Sequence, residues 1–149
     1  MTTLQQIEEF IATEPLALIG VSRNPKKFGY SAFKELREKG MNIIPVNHHA
    51  SEILGVKAFP DVKSLPDNVK GVIIMTQKDQ TATVVREAKE KGLKQIWVQQ
   101  NADSPEAKKE LEGSDINYIF GECILMHYKP HSIHKFHGRL KKFFGRFPK

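Results

Sequence analysis

The residue types best suited to chemistry are concentrated in one segment, residues 20–30, which reads GVSRNPKKFGY. Three of its side chains, Arg23, Lys26 and Lys27, carry a positive charge. Ser22 adds a short hydroxyl that can donate a hydrogen bond. Cations and hydroxyls gathered in one short loop are typical of a site for an anion, and phosphate is the anion that we expect here.

The position of the segment strengthens this interpretation. Gly20 follows an apolar run at 16–19 and permits a sharp turn or a close approach of a ligand. Gly29 stands just before a helical pattern, and the free amides and positive dipole end of a helix favour a phosphate. We therefore predict a phosphate or pyrophosphate site. An ordinary strand-to-helix loop with solvated lysines is the plain alternative.

The elements that must position this segment alternate along the chain. Apolar runs predict strands, and apolar residues three and four apart predict helices. We predict strands at 16–20, 42–47, 56–59, 71–76, 94–99 and 117–120, helices at 4–12, 30–39, 77–91 and 104–111, and a helical turn at 50–54. Strands separated by helices need right-handed crossovers and form a mainly parallel sheet.

The predicted fold is α/β, a Rossmann-like, doubly wound, three-layer α/β/α sandwich. In such sheets a ligand binds beyond the carboxyl ends of the strands, where the strand order reverses. We expect the loops after Gly20, Val46, Met75 and Val98 to converge on one crevice at this edge.

Missing motifs narrow the class of ligand. There is no G-x-G-x-x-G, since Gly20 and Gly29 lie nine residues apart, and no G-x-x-x-x-G-K-[ST]. The second predicted strand ends at Asn47 and is followed by His48 and His49, without the acid that usually holds the ribose of NAD. A neutral or cationic rim suits a nucleotide with a ribose phosphate better than plain NAD.

Several segments, taken in order, indicate a family. The chain resembles the small stand-alone CoA-binding proteins, whose domain is similar to the N-terminal CoA-binding domain of the succinyl-CoA synthetase alpha subunit. The resemblance spans residues 16–126. The segments that carry it are ALIGVSRNP at 17–25, FG at 28–29, IPVN at 44–47, EILG at 52–55, KQIWVQ at 94–99 and CILM at 123–126.

The resemblance implies coenzyme A as the cofactor and assigns a part of it to each loop. The implied phosphate-binding residues are Gly20, Val21, Ser22, Arg23, Lys26, Lys27, Gly29 and Tyr30. Asn47 and His49 would border the nucleotide, and Thr76 and Gln99 would line the same cleft. The family often has Lys where this chain has His49, and a neutral histidine is a weaker phosphate partner than lysine.

These residues predict a small non-catalytic module that binds CoA or an acyl-CoA as a carrier or sensor. The alternatives are an NAD(P)- or nucleotide-binding regulator and a subunit of a multi-chain acyl-CoA ligase. No Ser/His/Asp or Cys/His arrangement can be identified from spacing, so whether the chain is an enzyme stays open. No acid follows Glu122 to help the later histidines, and we predict no metal site.

The composition of the whole chain divides it into two parts. Its 149 residues fit one domain, and we place the CoA-binding domain at 1–128. The tail, 129–149, holds seven of the 23 basic residues and none of the 17 acidic ones. Its Phe-rich helical spacing predicts a docking helix that packs on the domain or forms a homo-oligomer.

The charge of the tail is weak evidence for nucleic-acid binding, which we do not expect. The longest apolar run is too short to span a bilayer. A single cysteine, Cys123, fits a reducing compartment, and the sequence predicts a soluble cytoplasmic protein.

Overall fold

A five-stranded parallel sheet lies at the centre of the fold, with helices on both faces. The computed structural model describes residues 2–128. The strands run Leu16–Ile19 (β1), Ile43–Val46 (β2), Gly71–Ile74 (β5), Gln95–Gln99 (β6) and Asn117–Glu122 (β7), in the spatial order β2-β1-β5-β6-β7. The predicted Rossmann-like α/β class is confirmed.

The helices divide between the two faces of the sheet. The helices are Leu4–Ile11 (α1), Phe28–Glu38 (α2), Lys78–Lys91 (α3) and Pro105–Leu111 (α4), with a short 3-10 helix at Ile124–Met126. Buried residues of α1, α2 and the 3-10 helix share one apolar cluster, and those of α3 and α4 share the other. Each connection therefore covers one face, which makes the sheet doubly wound.

The central strands are apolar because both of their faces are covered. All four residues of β1 and all four of β5 are buried. Their register aligns Ile19 with Val46 on one side and with Ile74 on the other. The three strands thus end level with each other, and the loops that follow them start at the same edge. The strand order reverses at β1, which fixes the switch point between β1 and β5.

One predicted element is wrong. Residues 50–54, predicted as a helical turn, instead contribute Glu52–Ile53 (β3) to an antiparallel hairpin with Val56–Lys57 (β4). The turn contains Leu54 and Gly55, both with positive φ (51° and 77°), which suits a two-residue hairpin turn. The edge strand predicted at 56–59 is split, because Phe59 forms only an isolated parallel bridge with Val46.

The last described residue, Tyr128, is hydrogen-bonded to the link between α1 and β1. The hydroxyl of Tyr128 donates a hydrogen bond to Glu14 Oε1 (3.1 Å). Burial, with help from the Glu14 carboxylate, raises the pKa of Tyr128 to about 12. The tail at 129–149 and its predicted docking helix lie outside the described residues. Between residues 2 and 128, no helix has both the length and the apolar character that crossing a membrane requires.

Candidate functional site

The loop after β1 passes very close to the end of β5. Gly20 has φ of +99°, a conformation that favours glycine. A Cβ added there would lie 2.5 Å from the carbonyl oxygen of Met75 and 3.2 Å from the amide nitrogen of Thr76. Glycine is therefore required twice, for its backbone angle and for this approach. The contact places the start of the loop beside Thr76, at the switch point.

The helix after the loop is packed tightly onto the same turn. It begins at Phe28, two residues earlier than predicted, so Gly29 lies inside the first turn and not before it. The early start follows from Lys27, whose extended backbone makes it the N-cap. A Cβ on Gly29 would overlap the carbonyl oxygen of Gly20. The glycine pair thus lets the N-terminus of α2 meet the end of β1.

The basic loop is shaped by its own hydrogen bonds. Asn24 N donates to Ser22 Oγ (2.9 Å), and Lys26 N donates to Asn24 Oδ1 (2.9 Å). Ser22 therefore accepts within the loop and keeps its hydroxyl hydrogen for another partner. Sequence reasoning did not single out Asn24 as an organiser of the loop. The signal that could have found it is the Asn24-Pro25 pair, which favours the start of a turn.

The N-terminus of α2 is open to an anion. No side chain caps it, and the first intrahelical bond runs from Ser31 N to Lys27 O (3.3 Å). The amides of Phe28, Gly29 and Tyr30 precede that bond, as the first amides of any helix do. They and the dipole end of the helix favour a negative group.

Three positively charged residues lie in the loop that leads into this helix start. Arg23, Lys26 and Lys27 are all exposed, and within residues 2–128 none of them forms an ion pair. No acidic residue occurs between Glu14 and Glu35, so no carboxylate along this stretch competes for them. Three cations with no internal partner and a row of free amides together form a region that attracts phosphate.

Asn47 joins the loop after β2 to the loop after β1. Its Nδ2 donates to the carbonyl oxygen of Val21 (2.7 Å), while its Oδ1 accepts from His49 N (2.7 Å) and Ala50 N (2.8 Å). Both ends of the amide are therefore engaged in positioning the two loops. His49 lies beyond Asn47 with an exposed side chain.

Two of the predicted site residues contribute to packing. Val21 is buried in the apolar cluster that also contains Phe33, and the half-buried ring of Tyr30 packs against that cluster. The carbonyl oxygen of Val21 accepts the hydrogen bond from Asn47, while its side chain is buried. Val21 and Tyr30 therefore anchor the two ends of the loop to the apolar core.

Thr76, at the end of β5, is linked to the loop after β6 through a residue that sequence reasoning missed. Its Oγ1 lies 2.8 Å from Thr81 Oγ1, and Thr81 Oγ1 donates to the carbonyl oxygen of Ala102 (2.7 Å). Thr81 is fully buried at 0 % exposure. A buried threonine inside the helix pattern at 77–91 was the available signal, because buried hydroxyls need partners.

Gln99 ends β6 and is 3 % exposed. Its Oε1 accepts from Ile124 N (3.1 Å), which holds the 3-10 helix against the sheet. Within residues 2–128 the amide nitrogen of Gln99 has no hydrogen-bond acceptor. A buried amide donor without a partner is uncommon and calls for an explanation, such as a ligand or a bound water.

The predicted convergence of four loops is therefore seen as a series of contacts. Asn47 joins the β2 and β1 loops, and Gly20 lies against the end of β5. Thr81 joins β5 to the β6 loop, and Gln99 joins β6 to the segment after β7. The arrangement suits an elongated ligand with a phosphate near α2 and polar groups toward β6.

Comparison with known proteins agrees with this geometry. The sequence profile of the CoA binding domain matches residues 15–129. The chain belongs to this family. The matched region runs from just before β1 to the end of the described residues, and includes every predicted site residue.

Relatives of the CoA binding domain fall into two groups. The chain is 38% identical over 93 residues to the alpha subunit of acetate–CoA ligase [ADP-forming] II from Pyrococcus furiosus, covering 62% of this chain but 20% of that subunit. It is 28% identical over 120 residues to the uncharacterized protein YneT from Bacillus subtilis, covering 80% and 89%. A conserved hypothetical protein from Pyrococcus furiosus superposes with a TM-score of 0.71 at 37% identity, covering 74% and 96%.

The chain thus spans about a fifth of the ligase subunit that it matches, but most of the smaller relatives. The residues present fit a CoA molecule in two respects. The open start of α2 and its cations suit the phosphates, and the amide nitrogen of buried Gln99, which has no acceptor between residues 2 and 128, suits a polar arm.

Proposed function

We propose that this chain binds coenzyme A or an acyl-CoA as a small non-catalytic module, acting as a carrier or a sensor. The observation that carries the proposal is the N-terminus of α2 without a side-chain cap, preceded by three exposed cations that form no ion pair within residues 2–128, at the switch point of a CoA binding domain. Free amides, a helix dipole and exposed positive charges together bind a diphosphate more strongly than any one of them.

Each part of the ligand has its own set of residues in this proposal. The diphosphate lies on the amides of Gly29 and Tyr30, with Ser22 donating its free hydrogen and Arg23, Lys26 and Lys27 neutralising the charge. The adenosine end lies toward β2, where Asn47 fixes the loop and His49 is exposed. The pantetheine arm of CoA lies toward β5 and β6, beside Thr76 and Gln99.

The proposal is tested first by ligand-induced stabilisation. A ligand that binds only the native state raises the melting temperature by mass action. The full chain should be melted with CoA, acetyl-CoA, dephospho-CoA, NADP and NAD at equal concentrations. We expect CoA and acetyl-CoA to give the largest shifts and dephospho-CoA a smaller one. A larger shift with NAD or NADP would overturn the proposal in favour of a dinucleotide-binding regulator.

The non-catalytic role needs a separate test. The chain should be incubated with acetyl-CoA, and with acetate, CoA and ATP, and the thioester measured by mass spectrometry. We expect acetyl-CoA to be recovered intact and no thioester to form, as for a carrier or sensor. Formation of thioester by the chain alone would assign it a ligase activity.

A second function is favoured by one observation. The 38% identity to a ligase alpha subunit suggests a chain that supplies the CoA site of a multi-chain acyl-CoA ligase. In that case the partner chain provides the nucleotide chemistry. Purification of the tagged chain from its own cells, followed by mass spectrometry of bound proteins and of released small molecules, separates the two roles. A partner that restores ATP-dependent thioester formation would favour the ligase.

A further inference from the structure

The strand order separates the two ends of the proposed ligand. β2 lies on one side of β1, and β5 and β6 lie on the other. Ligands of doubly wound sheets lie along the carboxyl edge, across the switch point. With the phosphates at α2 and the adenosine toward β2, the arm of CoA must pass the end of β5. The residue there is Thr76, whose amide nitrogen would be 3.2 Å from a Cβ on Gly20.

The hydrogens of the two linked threonines can be assigned. Thr81 Oγ1 lies 2.7 Å from the carbonyl oxygen of Ala102, and a carbonyl oxygen can only accept. The single hydroxyl hydrogen of Thr81 is therefore used on Ala102. The 2.8 Å contact between the two hydroxyls then requires Thr76 to donate to Thr81. The weaker contact of Thr81 with Gln77 O (3.2 Å) shares the same hydrogen.

This assignment means that the Thr76 hydroxyl can only accept, and not donate, a hydrogen bond with a ligand. Its only hydrogen is engaged, and within residues 2–128 its oxygen has no other partner. The residue is half-buried and not fully enclosed, which leaves its side-chain oxygen open to a ligand that lies along the carboxyl edge of the sheet. Thr81 is wholly buried, and water cannot readily replace its bond to Ala102.

We propose that Thr76 Oγ1 accepts a hydrogen bond from an amide N–H of the pantetheine arm. Thr81 is the positioning residue, because it accepts the Thr76 hydroxyl hydrogen and so leaves the Thr76 oxygen able only to accept from a ligand. The proposal rests on the proposed function and adds specificity to it. The pantetheine arm contains two amides, each with an N–H donor. A phosphate offers only acceptors, so Thr76 would meet it with lone pairs facing lone pairs. The β5 side of the crevice thus selects an amide-bearing arm over a second phosphorylated group.

The test compares CoA with adenosine 3′,5′-bisphosphate, which is the nucleotide end of CoA without the arm. Binding of each to the full chain is measured by titration calorimetry. Thr76→Val, which keeps the shape but loses the hydroxyl, should weaken CoA about three- to tenfold, the value of one neutral hydrogen bond. It should leave the affinity for the bisphosphate within about twofold. Thr76→Ser keeps the acceptor and should bind CoA like the wild type.

Thr81 is tested by the same pair of ligands. Thr81→Val removes the acceptor of the Thr76 hydrogen and should weaken CoA but not the bisphosphate, whereas Thr81→Ser should restore CoA binding. Because both ligands are measured on one protein, a general loss of folded protein lowers both and is recognised. A merely structural role for Thr81 predicts that the two affinities fall together.

A CoA analogue identifies the donor. Replacing one amide N–H of the arm by an ester oxygen should weaken binding to the wild type for one of the two amides only. The same analogue should cost nothing further in Thr76→Val, because the bond is already lost. Equal losses in both proteins would overturn the proposal, and so would a Thr76→Val variant with unchanged affinity for CoA. If the wild type binds neither CoA nor the bisphosphate, the proposed function itself fails.

Discussion

The candidate ligand-binding groups on the two sides of the switch point differ in chemical type. On the β1 and β2 side, the candidate ligand groups are backbone amides and exposed cations around the start of α2. On the β5 and β6 side, they are the half-buried hydroxyl of Thr76 and the buried amide of Gln99. Both of these side chains are neutral. The first set attracts any phosphate. The second set offers hydrogen bonds of fixed direction, and therefore distinguishes one phosphate-bearing ligand from another.

The difference also concerns how each side is kept in place. The cationic loop is ordered by bonds within itself, such as Asn24 to Ser22, and by Asn47 from the next loop. On the neutral side, the bonds of Thr81 to Ala102 and of Gln99 to Ile124 span 21 and 25 residues, much like the 26 residues between Asn47 and Val21. The two sides therefore differ in the additional short-range bonds within the cationic loop. Substitutions should therefore separate charge, loop position and polarity as three measurable effects.

The largest expected effect comes from Gly20, where the two sides meet. Gly20→Ala should destabilise the protein by about 3–4 kcal/mol, because it combines a left-handed backbone with overlap at Met75 O. Urea unfolding measures this change. Gly92 provides a matched control, since it has φ of +87° but no atom within 4 Å of an added Cβ. Gly92→Ala should cost about 1–2 kcal/mol. Equal costs for the two variants would contradict the close approach at Gly20.

Removing the charge of the first side should have the next largest effect, on affinity and not on stability. The triple variant Arg23→Ala, Lys26→Ala, Lys27→Ala should weaken CoA binding by about 30-fold or more, from the loss of charge-assisted hydrogen bonds. Its melting temperature without ligand should stay near that of the wild type, because the three side chains are exposed and form no ion pair with any residue from 2 to 128. Calorimetric titration at two salt concentrations measures the loss and its screening.

Lys63→Ala is the control for this triple variant, because Lys63 is an exposed lysine that belongs to none of the predicted site loops. It should bind CoA like the wild type. Wild-type affinity for CoA in the triple variant would show that these three cations do not bind the phosphates of CoA.

Asn47 should give an intermediate effect that reports on loop position. Asn47→Ala removes three hydrogen bonds, and we expect a loss of about 1–2 kcal/mol in unfolding free energy and weaker CoA binding. Asn47→Asp keeps the acceptor for His49 N and Ala50 N but sets a carboxylate oxygen against Val21 O. It should be at least as harmful to CoA binding as Asn47→Ala, as calorimetry would show. Normal CoA affinity in both variants would show that the loops keep their positions without this link.

Among the variants that remove a hydrogen bond, the smallest change in stability is expected at Gln99. Gln99→Met leaves the buried Ile124 N–H without its acceptor, which costs about 1–3 kcal/mol, but also removes the Gln99 amide donor, which has no partner within residues 2–128, and this returns a similar amount. The unfolding free energy should therefore change little. Affinity for CoA should fall about threefold or more if the amide nitrogen binds the arm. If Gln99→Met loses stability but keeps its affinity for CoA, Gln99 serves only to hold the 3-10 helix.

Much of the architecture could be predicted from local pattern. The apolar runs at 16–20 and 71–76 are strands because a strand covered on both faces has no place for polar residues. The hairpin at 52–57 could not be predicted in the same way. The segment is short, and its turn depends on a positive φ at Leu54, which the residue type does not announce.

The sequence by itself determined the class of fold, the strand that leads into the site and the concentration of positive charge at 23–27. These properties depend on residue type and on spacing along the chain, both of which are visible without coordinates. Tertiary structure alone decided the orientation of the polar groups. Asn47 and Gln99 were named by resemblance, but their bonds to Val21 and Ile124 depend on residues 26 and 25 positions away. The direction of the Thr76 hydrogen bond was likewise set by Thr81 and Ala102, because a hydroxyl takes its polarity from the neighbours that the fold brings to it.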